Sequence, residues 1–410
     1  MSFPDVLPTP VLAERMSRVK ESPSSRVADR VRAFQAAGRK VLPLTIGEPD
    51  FDTPDHVKDA AIAAIREGET KYTSANGTPA LQKSIISRLR RKTGQSYGTG
   101  EICLGGGAKQ LIFLAFVATL DEGDEVIVPA PYWVSYPDMV TVNGGRPVIV
   151  ATTAADGYKL TPDRLRAAIT DRTKWVVLNT PNNPTGAVYS EDELRRIADV
   201  LRAHPHVSLL CDEIYDEINF GAQPVPSAVT VAPDLRERVF LVNGVSKAYA
   251  MTGWRIGYGA GATSLCRAIG TLQSQSSSCP SSVSQAAAAA ALDGGREFID
   301  RTVRIYRERR DLLVAGLDAI EGLRPSVPGG GFYVWTDASA LTGAVTPSGA
   351  ALTSDADLAE HLLETSGVVV ITGDVYGCPG HFRASFALDS DTIREAVSGV
   401  AHSVSLLRLS

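Results

Sequence analysis

Between residues 50 and 300, short apolar runs alternate with helical patterns. Six runs predict strands: Glu125–Val128, Val148–Ala151, Trp175–Leu178, Val207–Cys211, Val239–Val242 and Ile256–Tyr258. Several hold Val, Ile and Leu without polar alternation, as strands covered on both faces do. Helices with clear starts lie between them. Thr161 then Pro162 reads as N-cap and first helical position, with Leu165, Ala168 and Ile169 as an apolar stripe. Ser190 and Glu193 form a capping box, followed by Leu194, Ile197, Ala198 and Leu201 on one face. Strands alternating with helices imply α/β layering around a mainly parallel sheet.

The ends read differently. Residues 12–37 predict one helix running into Gly38. A long amphipathic helix is expected over 296–322, burying Phe298, Ile299, Val303, Ile305, Leu312, Leu313 and Leu317. After Gly329–Gly331 come short strands at Phe332–Trp335, Val368–Ile371 and Phe382–Phe386, then a helix at 391–407. The expected fold is α/β, with a large domain at 50–300 whose mainly parallel sheet is covered by helices. A smaller α+β domain is formed from both termini, 1–49 and 301–410. Arginines 301, 304, 307, 309 and 310 interleave with Asp300, Glu308 and Asp311, which reads as a solvated helix face rather than a basic patch.

Composition narrows the function. In 410 residues, 41 Lys and Arg against 46 Asp and Glu leave a formal charge of −5, which argues against a nucleic-acid surface. No apolar run reaches the ~18–20 residues of a membrane span. Pro4, Asp5, Pro8, Pro10 and Glu14 break any signal-peptide core, so a cytoplasmic protein is expected. Five scattered cysteines without Cys-x-x-Cys read as reduced thiols, and six histidines show no ligand spacing, so no metal is expected.

Four segments carry chemistry. Ser246-Lys247 follows the apolar run Val239–Val242, with Arg255 eight residues after the lysine. Cys211-Asp212-Glu213-Ile214-Tyr215 places a carboxylate where an open parallel sheet puts its ligands. Asn179-Thr180-Pro181-Asn182-Asn183-Pro184-Thr185-Gly186 stands at another strand end. Leu104-Gly105-Gly106-Gly107-Ala108-Lys109-Gln110 opens a helix whose N–H groups can approach a phosphate, without the spacing of a dinucleotide or nucleoside-triphosphate loop. Each segment alone has a bland reading as a turn, a cap or a surface lysine. Together they supply an amine, a carboxylate for a pyridine nitrogen, donors for a ring hydroxyl, a phosphate cup and a guanidinium. Pyridoxal 5′-phosphate chemistry requires that set.

With these motifs in order, the sequence resembles the fold-type I, class I aminotransferases, and most closely the bacterial aspartate aminotransferase subgroup. The resemblance runs from about residue 12 to the C-terminus. It is carried further by Gly47-Glu48-Pro49-Asp50-Phe51, Lys71-Tyr72, Pro131-Tyr132-Trp133-Val134-Ser135-Tyr136 and Arg383-Ala384-Ser385. It implies a ping-pong transfer of an amino group from an L-amino acid, with L-aspartate favoured, to 2-oxoglutarate. Lys247 would be the Schiff-base lysine and proton shuttle. Asp212 would pair with the pyridinium, while Tyr215 and Asn183 would bond the ring oxygen. Trp133 would stack on the ring, and Arg255 would clamp the phosphate beside the Ala108 and Lys109 amides. Arg383 would grip the α-carboxylate, assisted by the Gly47 backbone and Asn183. Tyr72 would reach the phosphate of a neighbouring subunit, which implies a homodimer.

Three positions depart from the family pattern. Gly244 stands where many members have a phosphate-binding serine, and Ser246 is the substitute. The partner-subunit arginine of vertebrate-type enzymes has no equivalent; the bacterial subgroup instead uses a lysine in the phosphate-loop helix and a short Ser/Thr segment near the N-terminus, and the resemblance implies that Lys109 reads a distal carboxylate. Ser24-Ser25-Arg26 replaces the usual Ser-Ala-Thr. Alternative readings are an aromatic or other aminotransferase, a lyase or decarboxylase on the same scaffold, and a non-catalytic binding protein.

Overall fold

The computed structural model describes residues 12–19, 31–32, 34–36 and 38–408. Its strands, in chain order, are β1 (Leu42–Pro43), β2 (Ile102–Gly105), β3 (Glu125–Ala130), β4 (Arg146–Ala151), β5 (Thr173–Asn179), β6 (Ser208–Asp212), β7 (Val239–Gly244), β8 (Gly257–Ala260), β9 (Arg324–Pro325), β10 (Tyr333–Asp337), β11 (Val368–Val369), β12 (Ile371–Thr372) and β13 (His381–Ser385). Seven form one sheet, ordered β2-β8-β7-β6-β5-β3-β4. Only β8 runs against its neighbours, β2 and β7; the other pairings are parallel.

The unbroken apolar runs follow from this burial. Successive strand residues point to opposite faces. Val126, Val128, Val177, Leu210 and Phe240 meet the helices Ala108–Thr119 and Thr263–Ser276 on one face. Ile127, Val176, Leu178, Leu209 and Leu241 pack on the other with residues of Pro79–Thr93, Glu191–Ala203 and Ser282–Asp293. The edge strand β4 is the exception, with Arg146, Ile149 and Ala151 exposed. Both expected caps are present: Thr161 accepts from the Arg164 N–H ahead of Pro162–Ala168, and Ser190 and Glu193 cap each other's backbone. Ile169 instead ends the first of these helices in extended conformation.

A second, antiparallel sheet, β12-β13-β10-β9, packs with the helices Glu297–Asp318, Asp355–Ser366 and Ser390–Ser405. β1 pairs with β11, joining a segment near the N-terminus to one near the C-terminus. The core here also takes in Ile214, Tyr215, Ile218 and Phe220, so the turn after β6 belongs to two environments.

Three expectations need correction. Residues 12–37 do not form one helix: Glu14–Arg18 is a short 3-10 turn and Val19 is extended, while residues 20–30 lie outside the described residues. The arginine row on Glu297–Asp318 is not a uniform solvated face. Arg309 is buried and pairs with Asp50 at 2.8 Å, and Arg307 and Arg310 donate to the Phe220 and Pro328 carbonyls. Phe298, Val303, Ile305 and Leu312 are only half-buried, whereas Tyr306 is enclosed.

Candidate active site

Parallel strands deliver their C-terminal ends to one side of the sheet, and the connections that follow carry polar groups there. Asn179 ends β5, Asp212 ends β6 and faces Asn179 across the ladder, and Ser246 and Lys247 follow β7. These ends open into a cavity of about 410 Å³. Gly47, Ala108, Lys109, Trp133, Asn183, Asp212, Tyr215, Ser246, Lys247, Arg255 and Arg383 all line it. Tyr72 does not; its side chain is 88% exposed. Ser24, Ser25 and Arg26 lie outside the described residues.

The Lys247 ammonium donates to the Gly47 carbonyl at 2.6 Å. Burial pulls its pKa down to about 8; Glu48 and Asp212 oppose this, while Arg383 and Arg255 add repulsion. This raises the neutral fraction near neutral pH far above that of an ordinary lysine, to about one in ten, which is what a nucleophilic amine needs. Asp212 is buried, and desolvation pushes its carboxyl up to about 6 against the hydrogen bonds from Tyr136 and the Ile214 N–H. A cation placed beside it would restore its charge.

At the far wall, Arg383 Nη1 donates to Asn183 Oδ1 at 3.0 Å and Nη2 to the Thr45 carbonyl at 2.8 Å. Its guanidinium lies 4.1 Å from the Tyr333 ring centre, and its Nε is buried without a partner. The Lys109 ammonium sits 4.7 Å from the Trp133 ring centre, and burial, then Arg255, lower its pKa. Arg255 is held in the left-handed region, φ 57°, and donates to the Thr252 and Gly106 carbonyls. A Cβ at Gly107 would run into this guanidinium, so glycine there lets the helix start close upon it.

Four cations and one carboxylate therefore line the cavity, and among the described residues none of Lys109, Lys247, Arg255 and Arg383 is in an ion pair. The first N–H groups of Ala108–Thr119 add to this positive field. Such a site suits a ligand set with several anionic groups.

Sequence reasoning assigned no role to several lining residues. Tyr136 bonds Asp212 at 2.8 Å, Asn179 bonds the Asp212 carbonyl and the Asn183 N–H, and Tyr333 bonds Tyr215 at 3.1 Å. Tyr136 lay within a motif already noted; Tyr333 had no local signal, because only the tertiary fold brings it to Tyr215.

The model of the aminotransferase class I and II family matches residues 39–400. The chain is 46% identical over 389 residues to the aspartate aminotransferase of Rhizobium meliloti, covering 95% of each. It is likewise 46% identical to the aspartate/prephenate aminotransferase of Cereibacter sphaeroides, covering 95% of this chain and 97% of that one. The crystal structure of the Rhizobium meliloti aspartate aminotransferase matches with a TM-score of 0.96 at 45% identity, covering 98% of this chain and 100% of that one. The Thermus thermophilus aspartate aminotransferase with maleate matches at 0.89 and 39%, covering 96% and 100%. The chain belongs to the class I and II aminotransferases, and it is an enzyme of amino-group transfer.

Proposed function

We propose that this protein is a pyridoxal 5′-phosphate-dependent aminotransferase that takes the amino group of L-aspartate and delivers it to 2-oxoglutarate, working as a cytoplasmic homodimer. The observation that carries the reading is one cavity holding Lys247, Asp212, Arg255 and Arg383 together. The names of the relatives support the donor, and five free cysteines suit a reducing compartment.

The donor set fits the cofactor. Arg255, the Ala108 and Lys109 amides and the Ser246 hydroxyl would hold its phosphate, Trp133 its ring face, Asp212 its pyridine nitrogen, and Tyr215 with Asn183 its ring oxygen. The exposed Tyr72 would serve the phosphate of a partner subunit. When bound, the cofactor supplies an aldehyde carbon for an amine and a ring that withdraws electrons from the substrate's α-carbon. Lys247 anchors the cofactor and, once released, moves the α-proton. Asp212 stays ionised beside a cation. Arg383 grips the α-carboxylate, its unpartnered Nε being a spare donor in a buried place. Lys109 attracts the distal carboxylate.

Adding L-aspartate alone to the purified, cofactor-loaded protein tests this. Loss of the visible cofactor band with stoichiometric oxaloacetate is expected, and Lys247→Ala should abolish turnover. An unchanged spectrum would discard aspartate as donor; full activity in the lysine variant would discard the assignment. The name of the Cereibacter sphaeroides relative favours a second acceptor, prephenate, which the same assay can test.

A further inference from the structure

The turn after β6 divides its residues between two sides. Asp212 and Tyr215 line the cavity, while Glu213 and Asp216 face a buried ionic cluster on the helix Pro79–Thr93, which contributes nothing to the cavity. Arg88 Nη2 lies 2.7 Å from both Asp216 Oδ2 and Glu217 Oε1. Lys92 sits one turn further along that helix, 3.3 Å from Asp216 Oδ2, and donates to the Val225 carbonyl. At the rim, Arg296 pairs with Glu217 at 2.9 Å. Ser227 donates to Glu213 at 2.7 Å, and Asn243 on β7, the strand leading to Lys247, helps to lower the Asp216 pKa. Arg88, Glu213 and Asp216 are all at least nine-tenths buried.

Three carboxylates thus face two largely buried cations, Arg88 and Lys92, with Arg296 closing the exposed rim. Arg88 and then Lys92 hold the Asp216 carboxyl below its usual range, whereas burial lifts Glu213 to about 7. An arginine shared between neighbouring carboxylates fixes the turn in one geometry, because any excursion separates buried charges.

We propose that Arg88 is a positioning residue for the aminotransferase site: by locking Asp216 and Glu217, it sets where Asp212 and Tyr215 meet the cofactor. The inference rests on the function proposed above. Arg88 touches neither cavity nor substrate, so it acts only through the turn.

The test compares wild type with Arg88→Ala, Arg88→Lys and Asp216→Asn. Hydrogen exchange of the 213–218 amides is followed in the cofactor-free protein, alongside the apparent pKa of the visible band, kcat and KM in the loaded enzyme. Arg88→Ala and Asp216→Asn should speed exchange there by ~10-fold or more, move the band pKa and lower kcat about 10-fold with little change in KM. Arg88→Lys should restore part of each. A folded Arg88→Ala protein with wild-type exchange, band pKa and kcat would overturn the proposal, as would a loss of melting temperature alone. If Arg88→Ala does not fold, Asp216→Asn and Arg88→Lys decide by the same readings. A wild-type protein that neither binds the cofactor nor transaminates would instead defeat the proposed function, while hydrogen exchange would still report on the turn.

Discussion

The Tyr136 hydroxyl donates to Asp212 Oδ2 at 2.8 Å beneath the cavity, with both side chains buried. It is the foremost influence opposing the burial that drives the Asp212 carboxyl upward. Tyr136→Phe removes that donor, so the carboxyl takes a proton more readily at neutral pH. A hydrogen bond to a charged group is worth about 1.5–3 kcal/mol, so kcat at pH 7 should fall roughly 10- to 100-fold. Recovery should come as pH rises; a pH profile of kcat identical to wild type would disprove the link.

Arg383 offers a second test. Its planar fork spans the Asn183 side chain and the Thr45 carbonyl, and an ammonium cannot reproduce that geometry. Arg383→Lys keeps the charge but should lower kcat/KM about 30-fold or more for amino and oxo acids alike. Steady-state kinetics on both half-reactions would show whether the loss is shared, as a common α-carboxylate contact requires.

In the proposed function Lys109 bears on the distal group alone. Lys109→Gln should reduce kcat/KM for aspartate about 10-fold while leaving aromatic amino acids near wild type. Equal losses for both classes would assign the ammonium to the cofactor phosphate instead.

Asp212 also makes the cofactor-free protein sensitive to pH. Its folded pKa of about 6 stands above the ordinary 3.8. Below pH 4 both folded and unfolded states carry the proton and nothing is lost. Between pH 4 and 6 only the unfolded chain releases it, so stability declines as pH rises. Asp212→Asn should therefore stabilise the cofactor-free protein by about 2–3 kcal/mol above pH 6.5 and hardly at pH 3.5. Denaturant melts at the two pH values would measure it, and an equal gain at both would refute the cause.

Much of the large sheet was legible because strands covered on both faces need unbroken apolar runs, as Trp175–Leu178 and Val239–Val242 do. β2 escaped notice: four residues, Ile102–Gly105, run directly into the glycine loop and give too short a pattern. The reversed direction of β8 was equally silent, since an apolar run carries no polarity. Arg309 could have been placed correctly. It lies three residues after Tyr306 and four before Leu313, on one face of the same helix, and that spacing outranked the neighbouring charges. The site residues were legible through ordered motifs, whereas the Tyr215–Tyr333 bond joins positions that only tertiary folding brings together.

The antiparallel turn from β7 to β8 puts Lys247 and Arg255 on a single short connection, with Ala250 and Arg255 both in left-handed conformation. In the proposed function that connection would work as a caliper between the covalent anchor and the anion clamp. One residue more or fewer changes its reach by up to about 3.5 Å, more than any hydrogen bond tolerates. Its length is fixed together with its packing: Tyr249 and Met251 are buried between the two jaws and Thr252 lines the cavity, so neither the number of links nor these side chains can change freely.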